Sequence, residues 1–192
     1  MADCVLTDGT VWLSRPAEAE IDTIVDCCRE PSIGEWTTIP VPYEREHAEK
    51  FLADVVAPGW YGGAPTWAIR ESADAPLVGM IGLMRRDLGD VAAAEIGFWL
   101  ASRGRGKGLM TRAAALVCDF GFAPEHLSLT RIEWRAFVGN HASAAVARRV
   151  GFRYEGLLRL GGDQRGVRRD SWIAARLADD PAGPAPGWPP GI

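Results

Sequence analysis

Ala94-Glu95-Ile96-Gly97-Phe98-Trp99-Leu100, then Ala101-Ser102, then Arg103-Gly104-Arg105-Gly106-Lys107-Gly108-Leu109-Met110-Thr111 is the stretch of this chain whose reading decides the fold. The first run is apolar and aromatic, with the look of a strand. The second alternates cations with glycine. From Leu109 onward, Leu109, Ala113, Leu116, Val117 and Phe120 fall on one stripe of a helix. Strand, glycine loop and helix thus follow one another directly. Glycines let backbone approach an anion closely, and a new helix presents free N–H groups and the positive end of its dipole. Arg103, Arg105 and Lys107 add charge, so the segment is a pyrophosphate cradle on physical grounds. A P-loop would need glycine at Ala101 and a hydroxyl at Gly108. A dinucleotide fingerprint belongs after the first strand of a βαβ unit, not at mid-chain.

On the N-terminal side, Val5–Thr7 and Val11–Leu13 predict a hairpin about the two-residue turn Asp8-Gly9. Pro16 opens a helix with Ile21, Ile24, Val25 and Cys28 on one face, and Pro31 stops it. Residues 33–43 carry two prolines, Pro40 and Pro42, and aromatics among them and read as a loop or short turn. A second helix runs from about Glu44 to Val56, and Gly59–Pro65 breaks it. Thr66–Arg70, Leu77–Met84 and Ala92–Leu100 are strand-like. Beyond the cradle helix come a strand over 131–138, a short helix over 142–150 closed by Gly151, and strands over 152–160 and 167–177. The order predicts a mixed α/β (α+β) domain over residues 1–180: one twisted, mostly antiparallel sheet of about seven strands with about four helices. Residues 181–192 are Pro/Gly-rich and read as a flexible tail.

The 192 residues suit one globular domain, 47% hydrophobic and 24% charged. No run reaches the ~18 apolar residues of a membrane helix, and Asp3 and Asp8 stand where a signal peptide would be basic. Cys4, Cys27, Cys28 and Cys118 lack CxxC spacing and a histidine cluster, which predicts reduced thiols in a cytoplasmic protein and no metal site. The net charge of −4 is unevenly spread: residues 85–176 hold 16 Lys/Arg against 9 Asp/Glu, and residues 1–84 hold 5 against 14. A basic half suits an anionic cofactor and an acidic half a cationic acceptor, although two solvated faces would give the same count. A nucleic-acid binder would be basic overall.

Arg103-x-x-Gly106-x-Gly108 resembles the (Gln/Arg)-x-x-Gly-x-(Gly/Ala) motif of the GNAT superfamily of acetyl-CoA N-acetyltransferases. Leu13-Ser14-Arg15-Pro16, Glu95–Leu100, Asn140-His141-Ala142-Ser143 and Val150–Gly156 extend the resemblance over nearly the whole chain. Together they are similar to the branch that acetylates N-termini of ribosomal proteins (the RimJ/RimL type). The resemblance implies a GNAT-like sheet whose strands splay at the cofactor site, with acetyl-CoA as cofactor. Phe98, Trp99 and Leu100 would then bind the pantetheine arm, and Arg103, Gly104, Arg105, Gly106, Lys107 and Gly108 the pyrophosphate. Asn140 matches the asparagine that contacts the arm, while local reading makes it a helix N-cap; both roles can coexist. Arg148 and Arg149 are solvated helix charges or partners of the 3′-phosphate. Ser143 matches the hydroxyl near the sulfur, and a capping serine is its plainer reading.

Glu95 is the candidate general base, against a plain strand-edge charge. The glutamate that the ribosomal-protein enzymes carry after the Glu155-Gly156 strand has no counterpart in 160–162. Trp36, Tyr43 and Trp67 are candidates for the acceptor wall or for core aromatics. The acceptor is expected to be a primary amine, foremost a cationic protein or peptide N-terminus. A small amine and a non-catalytic regulatory module are the alternatives, and a homodimer is compatible with the sequence.

Overall fold

The computed structural model describes residues 4–88 and 91–192, apart from the side chains of 86–91. Asp3 therefore lies outside the described residues. One sheet of eight strands runs in the order β1-β2-β3-β4-β5-β6-β8-β7. Its strands are β1 (Leu6–Thr7), β2 (Trp12–Ser14), β3 (Thr66–Arg70), β4 (Gly79–Leu88), β5 (Val91–Leu100), β6 (Arg131–Phe137), β7 (Arg153–Gln164) and β8 (Val167–Leu177). Every neighbouring pair is antiparallel except β5 and β6. The class is as expected from the sequence, with one strand more.

Five helical stretches are described: α1 (Ile21–Cys28), α2 (Pro31–Trp36), α3 (residues 45–62), α4 (Leu109–Phe122) and α5 (His141–Val150). Two of these, and the β1–β2 connection, differ from the sequence reading. Pro31 ends α1 and also starts α2 from the first helical position, where its missing N–H costs nothing. The second expected helix does not stop near Val56. Pro58 brings no N–H, and the turn ahead of it widens so that Ala57 N–H reaches Leu52 O, five residues back; the helix then continues to Gly62. The β1–β2 connection spans four residues, since Thr7 pairs with Trp12. Asp8 Oδ1 holds it by accepting from Thr10 and Val11 N–H, 2.9 and 3.0 Å.

The core lies between the sheet and its helices. Trp67 is fully buried, ringed edge-on by Trp60 and Phe120 at 5.2 Å each, and its Nε1 donates to Cys4 O at 3.0 Å. Cys118 on α4 is equally buried, and burial pushes its thiol up to about 12. Residues 181–192 were expected to hang free, yet they pack. Trp188 Nε1 donates to Phe152 O at 2.9 Å, its ring lies 5.7 Å from both Trp134 and Tyr154, and Ala185 N–H reaches Arg148 O at 2.9 Å. A proline- and glycine-rich segment cannot build a core of its own, but one tryptophan can anchor it to another.

Candidate active site

The parallel ladder of β5 and β6 joins Ala93 to Arg131 and ends at Ile96 opposite Trp134. Beyond that point β5 continues to Leu100 on β4 and β6 to Phe137 on β8, without pairing to each other. The strands therefore splay, and the β6-facing backbone groups of residues 97–100 must find another partner. Two cavities meet at the splay. The first, about 810 Å³, is lined by Phe98–Leu100, the glycine loop, the start of α4 and the start of α5. The second, about 450 Å³, is lined by β4, β5, the end of β6, α2–α3 and residues 161–163. Trp36, Thr37, Phe98 and Trp99 border both.

Every charged residue lining the first cavity is an arginine: Arg105, Arg112 and Arg149. Gly106 and Gly108 sit at φ +76° and +75°, left-handed geometry that suits glycine, and a Cβ at either would point into open space. Gly108 is also the N-cap of the 14-residue α4. Small, left-handed backbone, a helix N-terminus and three guanidiniums form the cradle that a pyrophosphate needs. Gly104 has another task. It is buried, and a Cβ there would lie 3.1 Å from Val78 and Leu100 side chains, so it packs the loop onto the sheet.

Two of the expected cations are occupied elsewhere. Arg103 Nη2 donates to Leu77 O at 2.7 Å and to Cys27 Sγ at 3.3 Å, tying the loop to α1 and to the chain ahead of β4. Lys107 pairs with Glu71 at 2.6 Å. Neither borders the cavity. Arg112, one turn into α4, takes their place and is held by Asp8 at 2.8 Å. Its position in the first turn after the last glycine was the signal available in the sequence. Arg105 is held by Leu100 O at 2.9 Å and Ser32 Oγ at 2.8 Å.

At the start of α5, Asn140 Oδ1 caps the helix by accepting from Ser143 N–H at 3.2 Å, and both residues line the first cavity. Ser143 Oγ accepts from Trp134 Nε1 at 2.9 Å. Gly151, at φ +101°, closes the helix as expected.

Glu95 lies in the second cavity, with its Oε2 3.7 Å from Arg135 Nε. Arg135 in turn pairs with Glu133, which is buried and also paired with Arg131 at 3.0 Å. Burial would raise the Glu133 carboxyl, but the hydrogen bonds from Arg131 and Arg135 outweigh it and hold the group below the usual range. Arg131 also grips Glu155, which therefore serves structure.

Of the three expected acceptor aromatics only Trp36 borders the cavities. Trp67 belongs to the core described above. Tyr43 is 5% exposed, packs against α1 beside Cys28, and burial pushes its phenol well up. Both are corrections: a sequence shows that an aromatic is present, not which way it faces. The apolar lining of the second cavity comes instead from residues such as Phe51, Val55, Met80, Met84 and Phe137. The β7–β8 hairpin fixes residues 34–39, the end of α2 and the loop after it, over that cavity. Gln164 Nε2 donates to Glu35 O and Thr37 O at 2.8 and 2.9 Å, and Arg165 Nη1 to Ile39 O at 3.0 Å. Between Leu158 and Gly162 the β7 register slips, which turns residues 161–163 toward the cavity.

Residues 10–153 match the family model described as an acetyltransferase (GNAT) domain. The chain belongs to the GNAT acetyltransferase family. A GNAT relative in Bacillus subtilis (strain 168), named "Putative ribosomal N-acetyltransferase YdaF", is 30% identical over 84% of this chain and 86% of its own length. The fold is shared with solved GNAT structures. Mycobacterium smegmatis RimJ in complex with CoA-disulfide has a TM-score of 0.77 at 24% identity, covering 91% of this chain and 86% of that one. RimL, the ribosomal L7/L12 α-N-protein acetyltransferase in complex with coenzyme A, has a TM-score of 0.78 at 21% identity, covering 91% and 98%. This GNAT protein is thus an acyltransferase, and acetyl-CoA is its cofactor. The cradle fits that cofactor: left-handed glycines and arginines suit the pyrophosphate, and unpaired β5 backbone suits an amide-bearing arm. Among the described residues no helix is long and apolar enough to cross a membrane, and no group of three His/Cys/Asp/Glu could hold a metal.

Proposed function

We propose that this GNAT protein acetylates the α-amine at the N-terminus of a protein or peptide, in one ternary complex and without a covalent enzyme intermediate. One observation carries the reading. A cavity whose charged lining is all arginine opens, at the β5/β6 splay, onto a second whose charged lining is Glu95 and Asp163 with one arginine, Arg135, itself paired with Glu95 and Glu133. An anionic cofactor and a cationic amine are thereby sorted to opposite sides of one gap. The name of the Bacillus subtilis relative supports a ribosomal-protein acceptor.

Bound acetyl-CoA supplies an activated thioester, so the protein's contribution is mainly orientation and electrostatics. Arg105, Arg112 and Arg149, with the N–H groups of the Gly106–Gly108 segment, hold the phosphates. The free edge of β5 at 97–100 aligns the arm, and an N–H near Phe98 polarises the acetyl carbonyl. Asn140 spends Oδ1 on the helix cap and offers its amide N–H to the arm. Glu95, steadied by Arg135, takes the amine proton directly or through a water. Ser143 accepts from the Trp134 indole, so its own hydroxyl proton is free to meet the departing sulfur.

Thiol release from acetyl-CoA with a panel of peptides and small amines, and mass spectrometry to place the acetyl group, tests the reading. Glu95→Gln lowers kcat by ~10²-fold with cofactor affinity kept. Ser143→Ala costs ~10-fold, because water replaces part of its hydrogen bond. Full rate in Glu95→Gln across pH assigns the proton to another group. Turnover of small amines alone replaces the peptide acceptor.

A further inference from the structure

The acceptor cavity has a floor that the mechanism above leaves unused. On one face of β4 and β5, three cross-strand pairs follow in register: Met80 with Trp99, Gly82 with Gly97, Met84 with Glu95. Directly opposed residues project to the same side of a sheet. The middle pair projects nothing, and all six residues line the second cavity. The result is a recess one residue pair wide, between a Met–Trp wall and a Met–Glu wall. On β3, Thr66 pairs with Gly82 and closes the far side, its Oγ1 2.6 Å from where a Gly82 Cβ would stand. Over Gly97 the one protein group within 4 Å of a Cβ position is Met84 Cε, at 2.9 Å, the far end of a flexible side chain that can swing aside for an entering group. Phe51 and Val55 of α3 and Ile39 complete an apolar surround.

We infer, resting on the peptide acceptor proposed above, that this recess receives the first side chain of the acceptor and that the chain prefers N-termini beginning with a long apolar residue of leucine or methionine size. The geometry sets the length. Glu95 stands two residues along β5 from Gly97, about 6.6 Å at the ~3.3 Å rise of a strand. An amine at Glu95 reaches the glycine floor through a four-carbon side chain and falls short of it with a methyl or hydroxymethyl group. The chemistry sets the polarity. Apolar area buried in the recess favours binding, and a short hydroxylated side chain buries little of it, with Thr66 Oγ1 at the far side as its hydroxyl partner. An acidic first residue would in addition face Glu95, while Arg135, the cation of the same lining, is already paired with Glu95 and Glu133.

Peptides identical except for a first residue of Leu, Met, Ala, Ser or Asp, each with a free α-amine, provide the test. Expected kcat/KM for the Leu and Met peptides exceeds that for Ser by tenfold or more, with Asp lowest. Gly97→Ala puts a methyl on the floor and is expected to lower the Leu-to-Ser ratio about tenfold, mainly through KM of the Leu peptide. Met84→Ala, at a half-exposed rim position where folding is little affected, is expected to lower the same ratio about threefold. A Ser or Ala peptide turned over as well as Leu by the wild-type protein overturns the inference and leaves the peptide acceptor standing. A Leu-to-Ser ratio unmoved in both variants overturns it too. No turnover of any peptide, with acetyl-CoA still bound, overturns the peptide acceptor and the inference with it.

Discussion

Gly106→Val separates the cradle's chemistry from the fold's stability. At φ +76° a non-glycine residue costs about 1–2 kcal/mol, with a β-branched residue at the upper end. No protein atom lies within 4 Å of the Cβ position, so no clash adds to that strain. For a chain of 192 residues, 2 kcal/mol lowers Tm by roughly 4–8 °C, and the variant stays folded at room temperature. Cofactor binding should suffer far more. The two methyls occupy the space through which phosphate oxygens approach backbone N–H groups, and charge-assisted hydrogen bonds are worth about 1.5–3 kcal/mol each. Losing two weakens acetyl-CoA by ~10²- to 10⁴-fold at 1.4 kcal/mol per decade. Calorimetric titration reads the affinity and a thermal melt reads the stability. Gly166→Val is the control. Its φ is +83°, nothing lies within 4 Å of its Cβ, and it borders neither cavity. It should lose comparable stability and no cofactor affinity. Unchanged affinity in folded Gly106→Val, or an equal loss in Gly166→Val, refutes the cradle.

Two further outcomes are expected. Ending the chain at Asp180 removes the Trp188–Phe152 hydrogen bond and two aromatic contacts, together ~2–4 kcal/mol; a urea midpoint equal to that of the full chain rules the packing out. It should also lower kcat a few-fold, because Trp134, which donates to Ser143 Oγ, loses its backing. Peptides with basic residues after the first should be turned over faster than matched acidic ones at low salt, with the gap narrowing as salt rises; equal kcat/KM at low ionic strength removes the argument from the acidic half and from Glu95 and Asp163.

Much of the fold was legible in the sequence because its strongest local signals agreed with its global arrangement. The strand, the glycine loop and the apolar stripe of α4 stand where their pattern puts them, and so does α5 between Asn140 and Gly151. Local chemistry decides such elements, since an N-cap amide, a left-handed glycine and a 3.6-residue period act within one or two turns. The ends of helices were less legible. Pro31 was read as a stop and is also a start, and the helix expected to end near Val56 runs on because one wide turn absorbs Pro58.

The sequence by itself determined the class of fold, the glycine loop with the make-up of an anion cradle and the family-matched residues Asn140 and Ser143 that line the same cavity. Only the tertiary structure decided which neighbours each side chain meets. It turned Arg103 and Lys107 away to Leu77 and Glu71 and brought Arg112 into the cavity. It buried Trp67 and Tyr43 while leaving Trp36 at the meeting of the two cavities, and it set Gly82 opposite Gly97 to open a floor between them. It also folded a proline-rich end back onto Trp134. The physical reason is range. Backbone conformation is set largely by residues within a few positions, whereas burial and pairing depend on register between strands far apart in the chain, where one step reverses the face of every side chain.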